Sequence, residues 1–301
     1  MTILILGSQG YIGSNLTDFF LAKGDTVYGC DIISYTNNRY KYQKISILSS
    51  DFDTLFSNQQ FDVCINAAGS GSVYHSIINP MNDFEANTMS VAKVLDTIRK
   101  YQPHCKYLHI SSAAVYGNPK KLPIKESDPL SPLSPYGYNK LMSEQLCKEY
   151  HQLYNLPITI IRPFSVYGNG LQKQLLWDIC TKLKNADTIK LYGTGNESRD
   201  FIHITELVAL INNIIEKSSF TCDTFNAATG IETTIKKIAT FFENHFGGYK
   251  KITFSGEAKE GDPINWRADI TALLAIGFAP TVNIELAIAE YIQWFASLKN
   301  D

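Results

Sequence analysis

No stretch of this 301-residue sequence approaches the roughly 18 consecutive apolar residues that a membrane-spanning helix needs. Charge of one sign is scarce as well. The 27 Lys and Arg against 29 Asp and Glu leave a formal net charge of −2, so no basic field exists to attract nucleic acid or anionic lipid. The six cysteines (Cys30, Cys64, Cys105, Cys147, Cys180, Cys222) form no CxxC pair and no metal-ligand spacing, and most lie in apolar runs where a thiol acts as a small hydrophobe. The six histidines are equally dispersed, and no metal site is expected. The first apolar run begins almost at the first residue, which leaves no room for a leader peptide. A reduced, cytoplasmic protein is the expectation. The 45% hydrophobic and 19% charged fractions suit a globular chain with one large or two modest domains.

What is present starts at the N-terminus. Ile3-Leu4-Ile5-Leu6 runs directly into Gly7-Ser8-Gln9-Gly10-Tyr11-Ile12-Gly13. A buried strand feeding a glycine-rich turn and then a helix binds the pyrophosphate of a dinucleotide. The first glycine permits the turn, the second admits the phosphates, and the third lets helix pack on strand. Free N–H groups at the helix start meet the negative charge. A second strand, Thr26 to Cys30, ends on Asp31, about twenty residues downstream, where a ribose-binding acid belongs. A carboxylate there accepts the ribose hydroxyls and repels a 2′-phosphate. The expected cofactor is therefore NAD rather than NADP.

Short apolar runs then alternate with helical stretches. Phe61 to Asn66, Lys106 to Ile110 and Ile158 to Ile161 read as strands; Pro80 to Lys100 and Tyr136 to Tyr154 read as helices. This alternation predicts an α/β fold, a Rossmann doubly wound parallel sheet with helices on both faces. Pro119 to Pro135 reads as a loop crossing the mouth of the sheet. After Pro163 the alternation weakens, and helices near Gln172 to Lys184 and Ile284 to Leu298 suggest a smaller C-terminal α/β lobe for the substrate. The expected division gives 1–165 to the dinucleotide-binding domain, with about 199–226 returning to it, and 166–198 and 227–301 to the second lobe.

Tyr136 and Lys140 stand four residues apart, hence on one helical face. A nearby ammonium favours phenolate, which predicts a lowered Tyr136 pKa and proton exchange with a substrate hydroxyl. Ser111-Ser112 closes the preceding strand at the carboxyl edge of the sheet, where ligands bind, so Ser112 is placed to hold the same oxygen.

With these motifs the chain resembles the extended short-chain dehydrogenase/reductase superfamily, in its NAD-dependent nucleotide-sugar epimerase/dehydratase branch. The resemblance covers essentially the whole chain. It rests on the glycine-rich turn, Ala67-Ala68-Gly69, Asn87, Ser111 to Gly117, Ser134 to Lys140, Arg162-Pro163-Phe164, Arg199 to His203, Phe225 to Ala228 and Gly261-Asp262. It implies Ser112, Tyr136 and Lys140 as catalytic residues, with Asn87 supporting a proton relay. It implies NAD contacts at Gly7, Gly10, Tyr11, Ile12, Gly13, Asp31, Ala67, Ala68, Gly69, Asn87, Ser111, Tyr136, Lys140 and Pro163. Substrate contacts are implied at Ser112, Tyr136, Ser165, Arg199, Lys259 and Trp266, with Arg199 clamping a diphosphate. A homodimer built from the helices around Pro80–Lys100 and Tyr136–Tyr154 is implied too.

Members of this branch share oxidation at the sugar C4 and differ in the later steps. Dehydratases carry an acid and a base directly after the catalytic hydroxyl residue; here Ala113 and Ala114 stand there. Relatives resembling GDP-fucose synthase carry a Cys where this chain has Ala114, and a downstream His that Ser165 to Leu176 lacks. What survives is C4 redox chemistry. The leading expectation is a C4 epimerase acting on a UDP-, GDP- or dTDP-hexose through a 4-keto sugar. A 4-dehydrogenase or 4-ketoreductase with net NAD(H) turnover is the alternative, and a non-catalytic NAD-binding protein the third. Three positions depart from the pattern. Ser165 replaces a common Asn, Lys259 replaces a frequent Arg, and Leu48 stands near the usual adenine-binding Asp, so that either Asp51 substitutes or backbone groups alone hold the adenine. Trp266 falls where a bulky residue excludes N-acetyl groups at C2, which implies a non-acetylated hexose.

Overall fold

The first apolar run folds as strand β1 (Thr2–Leu6), and its side chains alternate between two helical layers. Ile3 and Ile5 enter one layer, Leu4 and Leu6 the other. The computed structural model describes residues 1–36, 38–46, 52–257 and 263–298. Further strands lie at β2 (Thr26–Asp31), β3 (Lys41–Lys44), β4 (Val63–Asn66), β5 (Lys106–Ile110), β6 (Ile158–Pro163), β7 (Ser165–Tyr167), β8 (Thr188–Leu191), β9 (Ser198–His203), β10 (Thr221–Ala227), β11 (Glu232–Thr234) and β12 (Lys251–Phe254). Seven of them form one parallel sheet in the order β10-β6-β5-β4-β1-β2-β3. This is the predicted doubly wound sheet, extended by one strand beyond β6.

The helices are α1 (Tyr11–Ala22), α2 (Phe52–Asn58), α3 (Val73–Ile78), α4 (Pro80–Phe84), α5 (Ser90–Tyr101), α6 (Pro135–Tyr154), α7 (Gln174–Asn185), α8 (Ile204–Lys217), α9 (Ile235–His245), α10 (Thr271–Ala275) and α11 (Ile284–Ser297). Helices α1 and α8 pack together over Ile3 and Ile5, while α2, α5 and α6 cover Leu4 and Leu6. Strand β9 pairs with β7 and β11 in a separate sheet, and β8 pairs with β12. A second apolar core joins these strands to α7, α9 and α11 through Ile179, Phe201, Phe242 and Tyr291.

Two features place the site. Strand β1 lies between β2 and β4, and its register sets Leu6 opposite both Cys30 and Asn66. Gly7, Asp31 and Ala67 therefore emerge together at the carboxyl edge, where the strand order reverses and ligands bind. The second feature is a buried ionic network. Arg162, the last residue but one of β6, lies opposite Asn226 of β10. Its guanidinium donates to both carboxylate oxygens of Glu144 on α6, at 2.9 and 2.7 Å. Ser111 Oγ, just past β5, donates to the same carboxylate at 2.6 Å. Arg162 also reaches Tyr116 Oη at 2.6 Å, and that hydroxyl donates to Asn226 Oδ1 at 2.7 Å. Arg162 and Glu144 are 2% and 0% exposed, so the pair sits wholly outside water.

A buried pair of this kind stabilises little when whole but costs about 3–5 kcal/mol when one partner is removed, because an uncompensated charge stays inside. Arg162→Met is expected to lose stability in that range in urea unfolding at a fixed NAD concentration. Arg162→Met/Glu144→Leu should recover much of the loss. A single variant that unfolds like the unaltered protein would show that the network carries no structural weight.

Candidate active site

At the switch point the chain folds so tightly that a side chain at Gly13 is excluded. A Cβ there would lie 2.0 Å from the Gly7 carbonyl oxygen. The third glycine thus serves the close packing of helix on strand that the spacing predicted. No side chain caps the first turn of α1, whose N-cap is Gly10, so its N–H groups and the positive end of its dipole are left for an anion. Tyr11 and Ile12 turn back to pack on the core. The Asp31 carboxylate accepts from the Gln9 N–H at 2.9 Å and from the Ile32 N–H at 2.7 Å, which fixes it beside the turn. A cavity of about 420 Å³ spans Gly7, Gly10, Asp31 and Ala67 to Ser70, and Ile33, Ile45 and Phe52 give it apolar walls. This combination fits an adenine dinucleotide: an anion site, a ribose acid and a flat apolar slot.

The cavity is also lined by Ala86, the neighbour of Asn87. The sequence predicts one helix over Pro80 to Lys100, yet a π-helical segment, Glu85–Met89, interrupts it between α4 and α5. Asn87 sits in this segment, and π-bulges gather at functional sites. Its Nδ2 donates to the Ser70 carbonyl and to Asp83 Oδ1, both at 3.1 Å. Two acceptors on one side orient the amide, so Oδ1 points the other way and is buried without a partner. A Cβ on Gly69 would come within 2.4 Å of that oxygen. The site therefore keeps one unsatisfied acceptor at the loop that ends the cofactor cavity.

The reacting groups meet between β5 and α6. Ser134 caps α6 by accepting from the Gly137 N–H, and Pro135 occupies the first turn. The Tyr136 hydroxyl faces the side chain of Ser112, which favours its phenolate. Ser112 Oγ also accepts from the Ala114 N–H at 3.1 Å, capping the 3₁₀ turn Ala113–Tyr116. One turn along α6, Lys140 Nζ lies 6.0 Å from the Tyr136 ring and donates to the Ile110 carbonyl at 3.0 Å. Ser112, Tyr136 and Lys140 are thus brought together as expected.

Their electrostatics differ from expectation. Burial pushes the Tyr136 phenol above its ordinary range; the Ser112 side chain opposes this, and the Asp83 charge adds to it. Burial also brings Lys140 down to about 8, against the pull of Asp83 and Glu144. The predicted lowering of the phenol by Lys140 does not hold for the protein alone, because desolvation of two neighbouring groups outweighs their attraction.

The structure also places the other expected site residues. The Ser111 side chain turns into the Glu144 network, and Pro163 closes β6 opposite Ala227. Trp266 Nε1 donates to the Gly117 carbonyl at 3.0 Å, and its ring meets Phe164 edge-on. Arg199 stacks its guanidinium 5.6 Å from the Trp266 ring centre and donates to the Ser198 and Ile264 carbonyls. Ser165 is half-buried at the start of β7. Ser76 is buried in α3 and donates to the Val73 carbonyl. Lys259, Leu48, Asp51 and Gly261-Asp262 lie outside the described residues. Among the described residues no cluster of His, Cys, Asp and Glu suits a metal ion, and no helix is long and apolar enough to cross a membrane.

Sequence reasoning missed Asp83, Asn139 and the Glu144–Arg162 pair. The only signal for Asp83 is its place one helical turn before Asn87.

Comparison with known proteins bears on this arrangement. A putative UDP-glucose 4-epimerase of Methanocaldococcus jannaschii is 28% identical over 307 residues, covering 97% of each chain. A UDP-glucose 4-epimerase of Mycolicibacterium smegmatis is 27% identical, covering 98% of each. Among solved structures, the UDP-glucuronic acid 4-epimerase of Bacillus cereus, in complex with UDP-glucuronic acid and NAD, superposes with a TM-score of 0.88. It is 26% identical, with 98% of this chain and 100% of that one covered. Residues 3–228 match the model of one family, and they include the glycine-rich turn, Asp31, Asn87, Ser112, Tyr136 and Lys140. The chain belongs to the NAD dependent epimerase/dehydratase family.

Proposed function

We propose that this chain is a nucleotide-sugar C4 epimerase that oxidises its substrate to a 4-keto sugar and reduces it again with one retained NAD. The observation that carries the reading is the composition of the reacting centre. Ser112, Tyr136 and Lys140 are gathered at one place, and the two positions after Ser112 hold alanines, of which Ala113 is fully buried. The centre can move one proton at one hydroxyl. It offers no acid or base there for eliminating water or for inverting a neighbouring carbon. The names of the relatives, UDP-glucose 4-epimerases among them, support the same reaction class.

The α1 N-terminus and the Gly7–Gly13 turn would hold the pyrophosphate, Asp31 the adenosine ribose, and Ala67 to Gly69, Asn87 and Lys140 the nicotinamide end. When bound, NAD supplies a two-electron acceptor for the C4–H bond and, in its oxidised form, a positive ring charge. Tyr136 Oη takes the proton of the 4-hydroxyl and later gives it back. Ser112 Oγ holds that oxygen through the change, and the Lys140 ammonium favours the phenolate. The C4 centre inverts when the keto sugar presents its other face before reduction. We place the sugar nucleotide between this centre and Arg199, Ser165 and Trp266, with residues 166–198 and 227–301 as its lobe. Arg199, stacked on Trp266, is the diphosphate contact. The UDP-sugars named for the relatives make UDP-hexoses the first candidates.

We also infer a homodimer through α6 and the α3–α5 helices. Tyr138 and Met142 are exposed one turn apart on α6, and Tyr74, Ile77 and Met81 are exposed on α3 and α4. A second copy that covers them removes this apolar surface from water. Met142→Glu should then sediment as a monomer where the unaltered protein sediments as a dimer. A monomeric unaltered protein contradicts the dimer.

The reaction is tested by incubating purified protein, with no added cofactor, with UDP-, GDP- and dTDP-hexoses and following products by NMR. A C4 epimer accumulating over many turnovers is the expected result. Product that forms only with added NAD or NADH, mole for mole, would show a dehydrogenase or ketoreductase instead.

A further inference from the structure

One buried carboxylate near the reacting centre has no part in the mechanism above. Asp83, at the end of α4, is 3% exposed. Its Oδ1 accepts from Asn87 Nδ2 at 3.1 Å and its Oδ2 from Asn139 Nδ2 at 2.7 Å. Asn139 is the residue before Lys140, and its carbonyl accepts from Thr88 Oγ1 at 3.1 Å. Among the described residues, the direct partners of this carboxylate are neutral amides. An ionised carboxylate kept from water without a cation at contact distance is costly, and such a group is retained for what its charge or its hydrogen bonds do nearby.

Both effects reach the site. The two hydrogen bonds tie the π-helical segment to the first turn of α6, so Asn87 and Lys140 are positioned by one group. The carboxylate also acts on both reacting side chains, favouring the ammonium of Lys140 and disfavouring the phenolate of Tyr136. The other ionisable groups facing Lys140 are Tyr136, Glu144 and Cys147 on α6 and His109 on β5. Of these, Glu144 is already matched by Arg162, and His109 is held neutral by burial. Asp83 is left as the carboxylate whose charge is not taken up by a contact cation.

We propose that Asp83 is a positioning residue of the reacting centre: it fixes the Asn87 and Asn139 amides and supplies the buried counter-charge of Lys140. The inference rests on the catalytic reading of Tyr136 and Lys140. It explains why Lys140 remains charged at neutral pH in a place that strips it of water, and why the unsatisfied oxygen of Asn87 faces the cofactor loop. With an asparagine at 83, one of the two amides would meet a donor instead of an acceptor, and the charge would be gone.

The test uses the full-length holoprotein labelled with 13Cε-lysine. The Lys140 resonance, assigned by its loss in Lys140→Arg, is titrated in the unaltered protein, where burial is expected to bring its midpoint down to about 8, and in Asp83→Asn. Removing the carboxylate should lower that midpoint by roughly one pH unit, the effect of one nearby unit charge on a buried group. The basic limb of the kcat/KM profile should move down with it, on whichever sugar nucleotide the panel identifies. Asp83→Glu should restore both. If Asp83→Asn does not accumulate as folded protein, the smaller neutral Asp83→Ser carries the same titration. A merely structural residue would lower the melting temperature and leave both midpoints in place, and that result would overturn the proposal. Tyr136→Phe is assayed alongside. If it is inactive while the Asp83→Asn midpoints stay put, only this inference falls. If it keeps full turnover, the catalytic reading falls and this inference with it.

Discussion

The bidentate pair between Arg162 and Glu144 is the constraint on which the site depends. It joins the ends of β5, β6 and β10 to the helix that carries Tyr136 and Lys140, at a depth where water cannot replace any partner. A guanidinium suits this place because its planar fork serves Glu144 on one side and Tyr116 on the other without bending. Ser111 is drawn into the same network, which leaves Ser112, the next residue, to point at Tyr136. The geometry of the reacting hydroxyls is thus held by neighbours that never touch the substrate. Such support outside the contact layer is what keeps a reacting constellation within the tolerance that chemistry needs.

A second constraint is electrostatic. Tyr136 and Lys140 both lose water, and each is pushed toward its neutral form. Alone, the pair would drift to a neutral phenol and a neutral amine, which leaves no phenolate at the hydroxyl beside Ser112. Two buried carboxylates, Asp83 and Glu144, counter that drift at Lys140. At Tyr136 the positive ring that oxidised NAD would bring is the charge that favours the phenolate. Trp266 is held in place by the Phe164 ring and the Gly117 carbonyl.

Much of this was legible in the residues. The alternation of Ile3 to Leu6, the three glycines and the place of Asp31 define strand, turn and ribose acid through backbone sterics alone, which sequence carries directly. Tyr136 and Lys140 share a helical face by spacing. What escaped depends on tertiary context. The π-helical segment that turns Asn87 toward the cofactor loop has no residue signature, because its extra residue is accommodated by packing against α6. Asp83 and Glu144 read as ordinary helix-surface acids until the fold buries them. The sign of the Tyr136 shift was misjudged for the same reason: spacing reveals a neighbouring ammonium but not the loss of water around both groups.

The central claim is that chemistry occurs at one carbon and that its hydrogen is never exchanged with solvent. The direct measurement is turnover in heavy water with product analysis by NMR and mass spectrometry. The account predicts an isobaric product inverted at C4 with no carbon-bound deuterium, since the C4 hydrogen is carried by NAD and returned. Deuterium at C3 or C5 would mean that a carbon beside the ketone is deprotonated. A reacting centre limited to Ser112, Tyr136 and Lys140 would then be contradicted.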